Sequence, residues 1–156
     1  MTVEALSSTA DLEDAREKLV QSFAPVREML DEPNVVGAWS IRQTLAHLLA
    51  WDGWAEETLA ALERGEAVPI PAEDAMNTNA VEAVASLSAD TLMQRLLEAR
   101  RLILGRLAAM TDEERRERRY VLADKQMSAN DFVDSFIEHD LEHASEIRAW
   151  RKAKGL

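Results

Sequence analysis

The chain contains three histidines, His47, His139 and His143, and no cysteine. Neutral imidazole is a common ligand of divalent metal ions, whereas a thiolate site cannot form here. Three imidazoles that leave a coordination position open are a frequent arrangement in catalytic metal sites. Such a site requires that the helices of the chain bring these three side chains together.

His139 and His143 are four residues apart, so on an α-helix they lie on the same face. That face also carries Phe136 and Ile147, which predicts that both imidazoles point into the core. His47 lies in a separate helical segment. We expect the three rings to converge on one divalent metal ion. The alternative is that they are core histidines, each hydrogen-bonded to a neighbour.

Four segments have the apolar periodicity of amphipathic helices, at about residues 9–30, 40–65, 88–110 and 128–154. Pro25 predicts a kink in the first segment. Ser40 with Gln43 and Ser128 with Asp131 match the capping-box pattern of helix starts. The predicted apolar stripe of the third segment is Leu92, Leu96, Ala99, Ile103, Leu107 and Met110.

These segments predict an all-α fold, a four-helix bundle that forms a single domain over residues 1–156. An antiparallel arrangement is the natural one, although the loop after the second helix is long enough for a crossover. Helix resumes irregularly from about residue 75, and residues 111–127 are charged and irregular. A short strand at residues 120–123 is the one β candidate.

Composition and charge suggest which partners to expect. Residues 1–10 do not have the pattern of a signal peptide, no apolar run is long enough for a membrane span, and cysteine is absent, which together favour the cytoplasm. The chain has 29 acidic and 18 basic residues, a formal charge of −11. Such a field repels phosphate backbones and anionic lipid. We therefore expect no nucleic-acid partner and no membrane partner.

Other metal motifs fit less well. Residues 139–143 match H-x-x-E-H, with Glu142 as general base, but the scaffold of a zinc protease is missing. The Glu-x-x-His pairs of di-iron bundles do not occur. Trp51 and Trp54 share the helix of His47, where they could form the wall of an apolar pocket. Asp52, Asp140 and Glu146 are candidates for orienting the imidazoles.

Two motifs together resemble the DinB-like superfamily. The first is Trp39-Ser40-x-Arg42-Gln43-x-Leu45-x-His47-Leu48-x-x-Trp51-Asp52. The second is His139-Asp140-x-x-His143-x-x-Glu146-Ile147-x-x-Trp150. Asn77 also matches a position that these proteins often fill with asparagine. The resemblance implies a DinB-like four-helix bundle, commonly a homodimer, with His47, His139 and His143 as ligands of zinc or nickel.

The resemblance also implies a class of activity without naming catalytic residues beyond the ligands. Relatives include transferases and isomerases that use low-molecular-weight thiols. The leading hypothesis is a divalent-metal-dependent enzyme in which such a thiol attacks a small electrophile, and hydrolysis by metal-activated water is chemically as easy. The alternative is a non-catalytic protein, metal-anchored and stress-related, that binds a small molecule. In a third possibility, the histidines serve only the stability of the bundle.

Overall fold

The computed structural model describes residues 9–66, 68–122 and 124–156 of the chain. Its helices are α1 (Thr9–Phe23), α2 (Ile41–Glu63), α3 (Glu73–Val84), α4 (Ala89–Ala108), α5 (Asp112–Glu117) and α6 (Ala129–Lys154). The strands β1 (Tyr120–Leu122) and β2 (Lys125–Met127) pair as an antiparallel hairpin. The fold is all-α, with α1, α2, α4 and α6 as the four long helices of the bundle.

The predicted starts of α2 and α6 are confirmed, with their caps. The hydroxyl of Ser40 accepts from the backbone N–H of Gln43, while Gln43 Oε1 accepts from the backbone N–H of Ser40. Ser128 and Asp131 form the same reciprocal pair at α6. These bonds satisfy backbone donors that have no partner inside the helix. They fix the residue at which each histidine-bearing helix begins.

The first helix is shorter than predicted. We expected helix to continue to residue 30 with a kink, but α1 ends at Phe23 and a 3₁₀ turn follows over Ala24–Val26. Pro25 lacks a backbone N–H and cannot continue the α-helical hydrogen-bond pattern. Val26 and Leu30 are still buried, so the apolar periodicity was correct although the helix had ended.

The long helices form two parallel pairs instead of the expected antiparallel bundle. Arg16 pairs with Asp140, and further along both helices Arg151 donates to the Ser22 carbonyl, so α1 and α6 run in the same direction. The Arg100–Asp52 and Arg106–Glu56 pairs likewise make α2 and α4 parallel. The second connection makes this possible, because it contains α3 and crosses over between the parallel helices α2 and α4, whereas α4 and α6 run in opposite directions.

The core consists of two apolar clusters with a charged layer between them. One cluster contains Leu19, Phe23, Leu45, Leu92 and Ile147, and the other contains Leu12, Leu59, Ile103, Leu107 and Phe132. The charged layer takes one residue from each long helix: Arg16, Asp52, Arg100 and Asp140. All four are at most 2% exposed. The bundle is therefore crossed near its middle by two buried ion-paired arginines and two aspartates.

In the described part of the chain, no helix is long and apolar enough to cross a membrane. The expectation that residues 1–10 are not a signal peptide falls mainly on residues outside those that the structure describes. The strand expected at residues 120–123 is present as β1, and Ala123 itself is not described.

Candidate metal centre

The structure brings His47, His139 and His143 together. Each offers a nitrogen to a cluster whose three donor atoms lie within 4.8 Å of one another. His47 comes from α2, and the other two come from successive turns of α6. The Nε2 atoms of His47 and His139 are 2.9 Å apart. The helical spacing that suggested a shared face thus gives a common site at the contact between antiparallel α2 and α6.

Two of the rings are held through their other nitrogen. His47 Nδ1 lies 2.8 Å from Asn77 Oδ1 on α3, and His143 Nδ1 lies 2.7 Å from Glu146 Oε2 one turn further along α6. A hydrogen bond to each oxygen places a proton on each Nδ1, so that in the neutral form of the ring the lone pair is on Nε2. Partners of this kind orient the imidazoles of metal sites. Of the suggested partners, Glu146 lies within hydrogen-bond distance of a histidine, whereas Asp52 and Asp140 form ion pairs with arginines.

Two features of the site suit a bound cation. His143 Nε2 is buried and has no hydrogen-bond partner among the residues that the structure describes. The facing Nε2 atoms of His47 and His139 need a proton or a cation between them, since two lone pairs at 2.9 Å repel each other. A divalent cation answers both requirements, and the all-nitrogen donor set suits zinc and nickel. The residues present therefore fit the metal that the resemblance implies.

Burial keeps two of the rings neutral. It lowers the pKa of His139 to about 4, with further lowering by the neighbouring His143 and His47 rings. Burial also lowers the pKa of His47, while the hydrogen bond with Asn77 opposes that shift. A neutral imidazole is the form that binds metal, so protons compete little with a cation for these nitrogens at neutral pH.

A cavity of about 680 Å³ opens onto the cluster, with His47 and His139 in its wall. Its apolar side is a run of rings in mutual contact: Trp51 with Trp54 at 5.2 Å, Trp54 with Phe132 at 5.7 Å, and Phe132 with Phe136 at 5.1 Å between centroids. The suggestion that Trp51 and Trp54 wall a pocket agrees with this geometry. The volume lies within the usual range for small-molecule sites.

The charged layer lies directly behind the histidines. Arg16 donates to both oxygens of Asp140, at 2.8 and 3.0 Å, and contacts Asp52 at 2.9 Å. Arg100 contacts Asp52 at 3.2 Å and Asp140 at 3.1 Å. Because Asp140 is adjacent to His139 in sequence, this network fixes the part of α6 that carries the site.

Sequence reasoning missed both arginines. The apolar stripe of the third helical segment was predicted to include Ala99. In the structure, Arg100 is buried and Ala99 is only partly buried. A signal existed, because Arg16 lies between Leu12 and Leu19 and Arg100 between Leu96 and Ile103, at helical spacing on the core face. Charged residues in such positions occur when opposite charges from neighbouring helices compensate them.

A model of the DinB superfamily matches residues 11–147. The chain therefore belongs to the DinB superfamily, as the resemblance indicated. No curated protein matches the sequence of this chain.

Three solved structures share the fold. An uncharacterised protein from Escherichia coli UTI89 aligns with a TM-score of 0.78 at 15% identity, covering 94% of this chain and 92% of the other. The colibactin self-resistance protein ClbS, solved with a dsDNA, aligns with a TM-score of 0.78 at 10% identity, covering 92% and 93%. YfiT from Bacillus subtilis is described as a probable metal-dependent hydrolase with an unusual four-helix bundle topology. It aligns with a TM-score of 0.75 at 19% identity, covering 94% of this chain and 85% of the other.

The ClbS complex corrects one expectation. We expected no nucleic-acid partner from the charge of −11, and this exclusion is wrong, because a protein of the same fold has been solved in complex with dsDNA. Net charge describes the field far from the molecule, whereas binding depends on the groups at one surface. The fold and the overall charge therefore do not exclude nucleic acid.

Proposed function

We propose that the protein is a divalent-metal-dependent hydrolase of small molecules, with His47, His139 and His143 as the ligands of one zinc or nickel ion. The observation that carries the proposal is the convergence of the three histidines beside a cavity large enough for a substrate. The description of YfiT as a probable metal-dependent hydrolase supports it. We also propose that residues 1–156 act as one domain.

Each residue has a defined task in this proposal. Asn77 and Glu146 hold the rings of His47 and His143 so that the Nε2 atoms face the site. The aromatic wall binds the apolar part of the substrate and excludes water from it. When bound, a divalent cation polarises the reacting group and makes coordinated water a better nucleophile at neutral pH.

Thiol transfer is the second candidate, and the family resemblance supports it. The charge of the cavity favours water, because four carboxylates and a single lysine line it and would repel a thiol that carries carboxylates of its own. A neutral thiol would escape this repulsion. The cytoplasmic location and the homodimer stay predictions, and light scattering on the purified protein tests the dimer.

One assay separates these functions. Wild type and His143→Ala, purified without an affinity tag, are compared for bound zinc and nickel and for turnover of 4-nitrophenyl butyrate with and without the neutral thiol 2-mercaptoethanol. Hydrolysis gives butyrate and 4-nitrophenol, whereas thiol transfer gives the S-butyryl thioester and 4-nitrophenol. We expect about one metal per chain and hydrolysis, both lost in the variant.

Other outcomes are equally clear. Thioester as the main product would replace hydrolysis by S-transfer. Bound metal without any turnover would favour the non-catalytic binding protein. Absence of metal from the wild type, before and after titration, would overturn the metal site itself. Ser145→Ala is the matched control, since Ser145 is exposed on the same helix as His143.

A further inference from the structure

The cavity has an acidic rim in addition to its aromatic wall. Glu138 and Glu142 lie one turn apart on α6, Glu73 begins α3, and Asp124 occupies the turn of the hairpin. All four are exposed, and they come from three different elements that meet at the cavity. Lys125 is the basic side chain among the lining residues. The formal charges of the lining residues, without any metal, therefore sum to a negative value.

Within the described ranges of the chain, these carboxylates have no ion-pair partner. Among the residues that the structure describes, none of the four belongs to a salt bridge, although exposed acids elsewhere do, such as Glu66 with Arg64 and Asp31 with Arg42. Nor do they form a second metal site. In the same part of the chain, the histidine cluster is the one group of three or more metal-ligating side chains that converges. The rim is therefore open to a cation of another kind.

The aromatic wall suits such a cation. Trp51 and Trp54 are in edge-to-face contact, with centroids 5.2 Å apart, and both line the cavity. The face of an indole attracts organic cations, and tryptophan does so more strongly than tyrosine or phenylalanine. An aromatic wall with carboxylates at its edge is the chemistry that recognises an ammonium group attached to an apolar body.

From this arrangement we infer that the ligand of the cavity is an amphipathic organic cation. Its ammonium group lies among the rim carboxylates, its apolar body lies along the aromatic wall, and its opposite end reaches His47 and His139. The inference rests on the proposed function for the reacting end of the molecule. The recognition of the cation depends on the rim and the wall alone.

Three probes with the same apolar body test the inference on the full chain. They are (4-phenylbutyl)trimethylammonium, 4-phenylbutan-1-ol and 4-phenylbutane-1-sulfonate, none of which is a strong metal ligand. Binding is followed by tryptophan fluorescence with metal-free and with zinc-loaded protein. We expect the cation to bind about tenfold more tightly than the alcohol, the size that cation–π contacts and neighbouring carboxylates provide. The sulfonate should bind most weakly.

Matched variants separate the rim from the overall charge. The triple variant Glu73→Gln, Glu138→Gln, Glu142→Gln should reduce the preference for the cation to about twofold or less. The control triple Glu28→Gln, Glu82→Gln, Glu98→Gln removes the same charge from exposed positions outside this cavity and should retain the preference. Circular dichroism checks folding, and Glu142→Gln alone provides a milder variant.

Equal affinity for cation and alcohol in the wild type, or the same loss in both triple variants, would overturn the inference. These results are independent of the hydrolase assay. Ester turnover without a cation preference would leave the proposed function intact and reject the substrate class. A cation preference without ester turnover would keep the ligand class and reject the hydrolase.

Discussion

Arg16 Nε donates to Asp140 Oδ2 at 2.8 Å, and this contact joins α1 to the turn of α6 that lies between His139 and His143. Both residues are 1% exposed. A buried charge of this kind is tolerated only when its partners compensate for the lost hydration. The turn of α6 that carries two of the candidate metal ligands is therefore held by a buried charged layer that supplies no ligand itself.

Replacing one member of the layer should be costly. For Arg16→Met we expect a loss of about 3–5 kcal/mol in the free energy of unfolding, because Asp140 stays buried without its main partner. The measurement is urea denaturation of the metal-free protein. Asp14→Asn is the control, since it breaks the exposed pair with Lys18. That control should cost less than about 1 kcal/mol. Similar losses in both variants would contradict the prediction.

Replacing the whole layer should be far less harmful. In the variant Arg16→Met, Asp52→Leu, Arg100→Met, Asp140→Leu, no charge is left uncompensated. We expect a free energy of unfolding equal to that of wild type or about 1–4 kcal/mol higher. The same denaturation experiment measures it. A stability below that of Arg16→Met alone would show that the layer itself stabilises the fold.

The partners of the histidines should tune metal affinity. Glu146→Ala frees His143 Nδ1 and Asn77→Ala frees His47 Nδ1, so the rings lose their fixed orientation. We expect zinc affinity to fall about 10–100-fold in each variant. Competition with a chromogenic chelator measures the affinity. Ser145→Ala on the same helix serves as the control. Unchanged affinity in both variants would mean that neither residue positions a ligand.

The cap of α6 should contribute a measurable part of the stability. In Ser128→Ala the backbone N–H of Asp131 loses its acceptor. We expect the free energy of unfolding to fall by about 1 kcal/mol. Ser145→Ala removes the same hydroxyl from an exposed mid-helix position and should have little effect. If thermal denaturation ranks the two variants equally, the cap has no special role.

Asp131 should make stability depend on pH at the acid end. The Ser128 backbone N–H donates to its carboxylate and holds the pKa of Asp131 below its usual value. A carboxyl with a lowered folded-state pKa stabilises the fold above its unfolded pKa and loses this contribution as pH falls through the folded value. Asp131→Asn should therefore be less stable than wild type at neutral pH. The two stabilities should converge at a pH below both pKa values, and a constant difference would contradict the assignment.

The sequence predicted the elements that carry the site. The starts of α2 and α6 follow from Ser40 and Ser128, because a capping serine at the beginning of an apolar stripe is a local signal. The third segment was expected to begin near residue 88, and α4 does begin there. The convergence of His47 with the α6 pair was predicted from helical spacing and from the family resemblance, and the three side chains do meet.

The rest depends on contacts between helices that are distant in the chain. The parallel pairing of α1 with α6 follows from the crossover between α2 and α4, and periodicity within one helix contains no information about its neighbours. Burial of Arg16 and Arg100 depends on Asp52 and Asp140, each of which comes from another helix. The acidic rim could not be predicted either, because Glu73, Asp124 and Glu142 come from three separate elements.

The pairing of the first long helix with the last has a consequence for biosynthesis. On the ribosome, α1 emerges long before α6, and the apolar face that includes Leu12 and Leu19 has no α6 to cover it until that helix has also been synthesised. Contacts between residues so far apart in sequence also slow folding, because a long loop must close first. The nascent chain should therefore need protection from aggregation until α6 emerges, and the bundle should form only then.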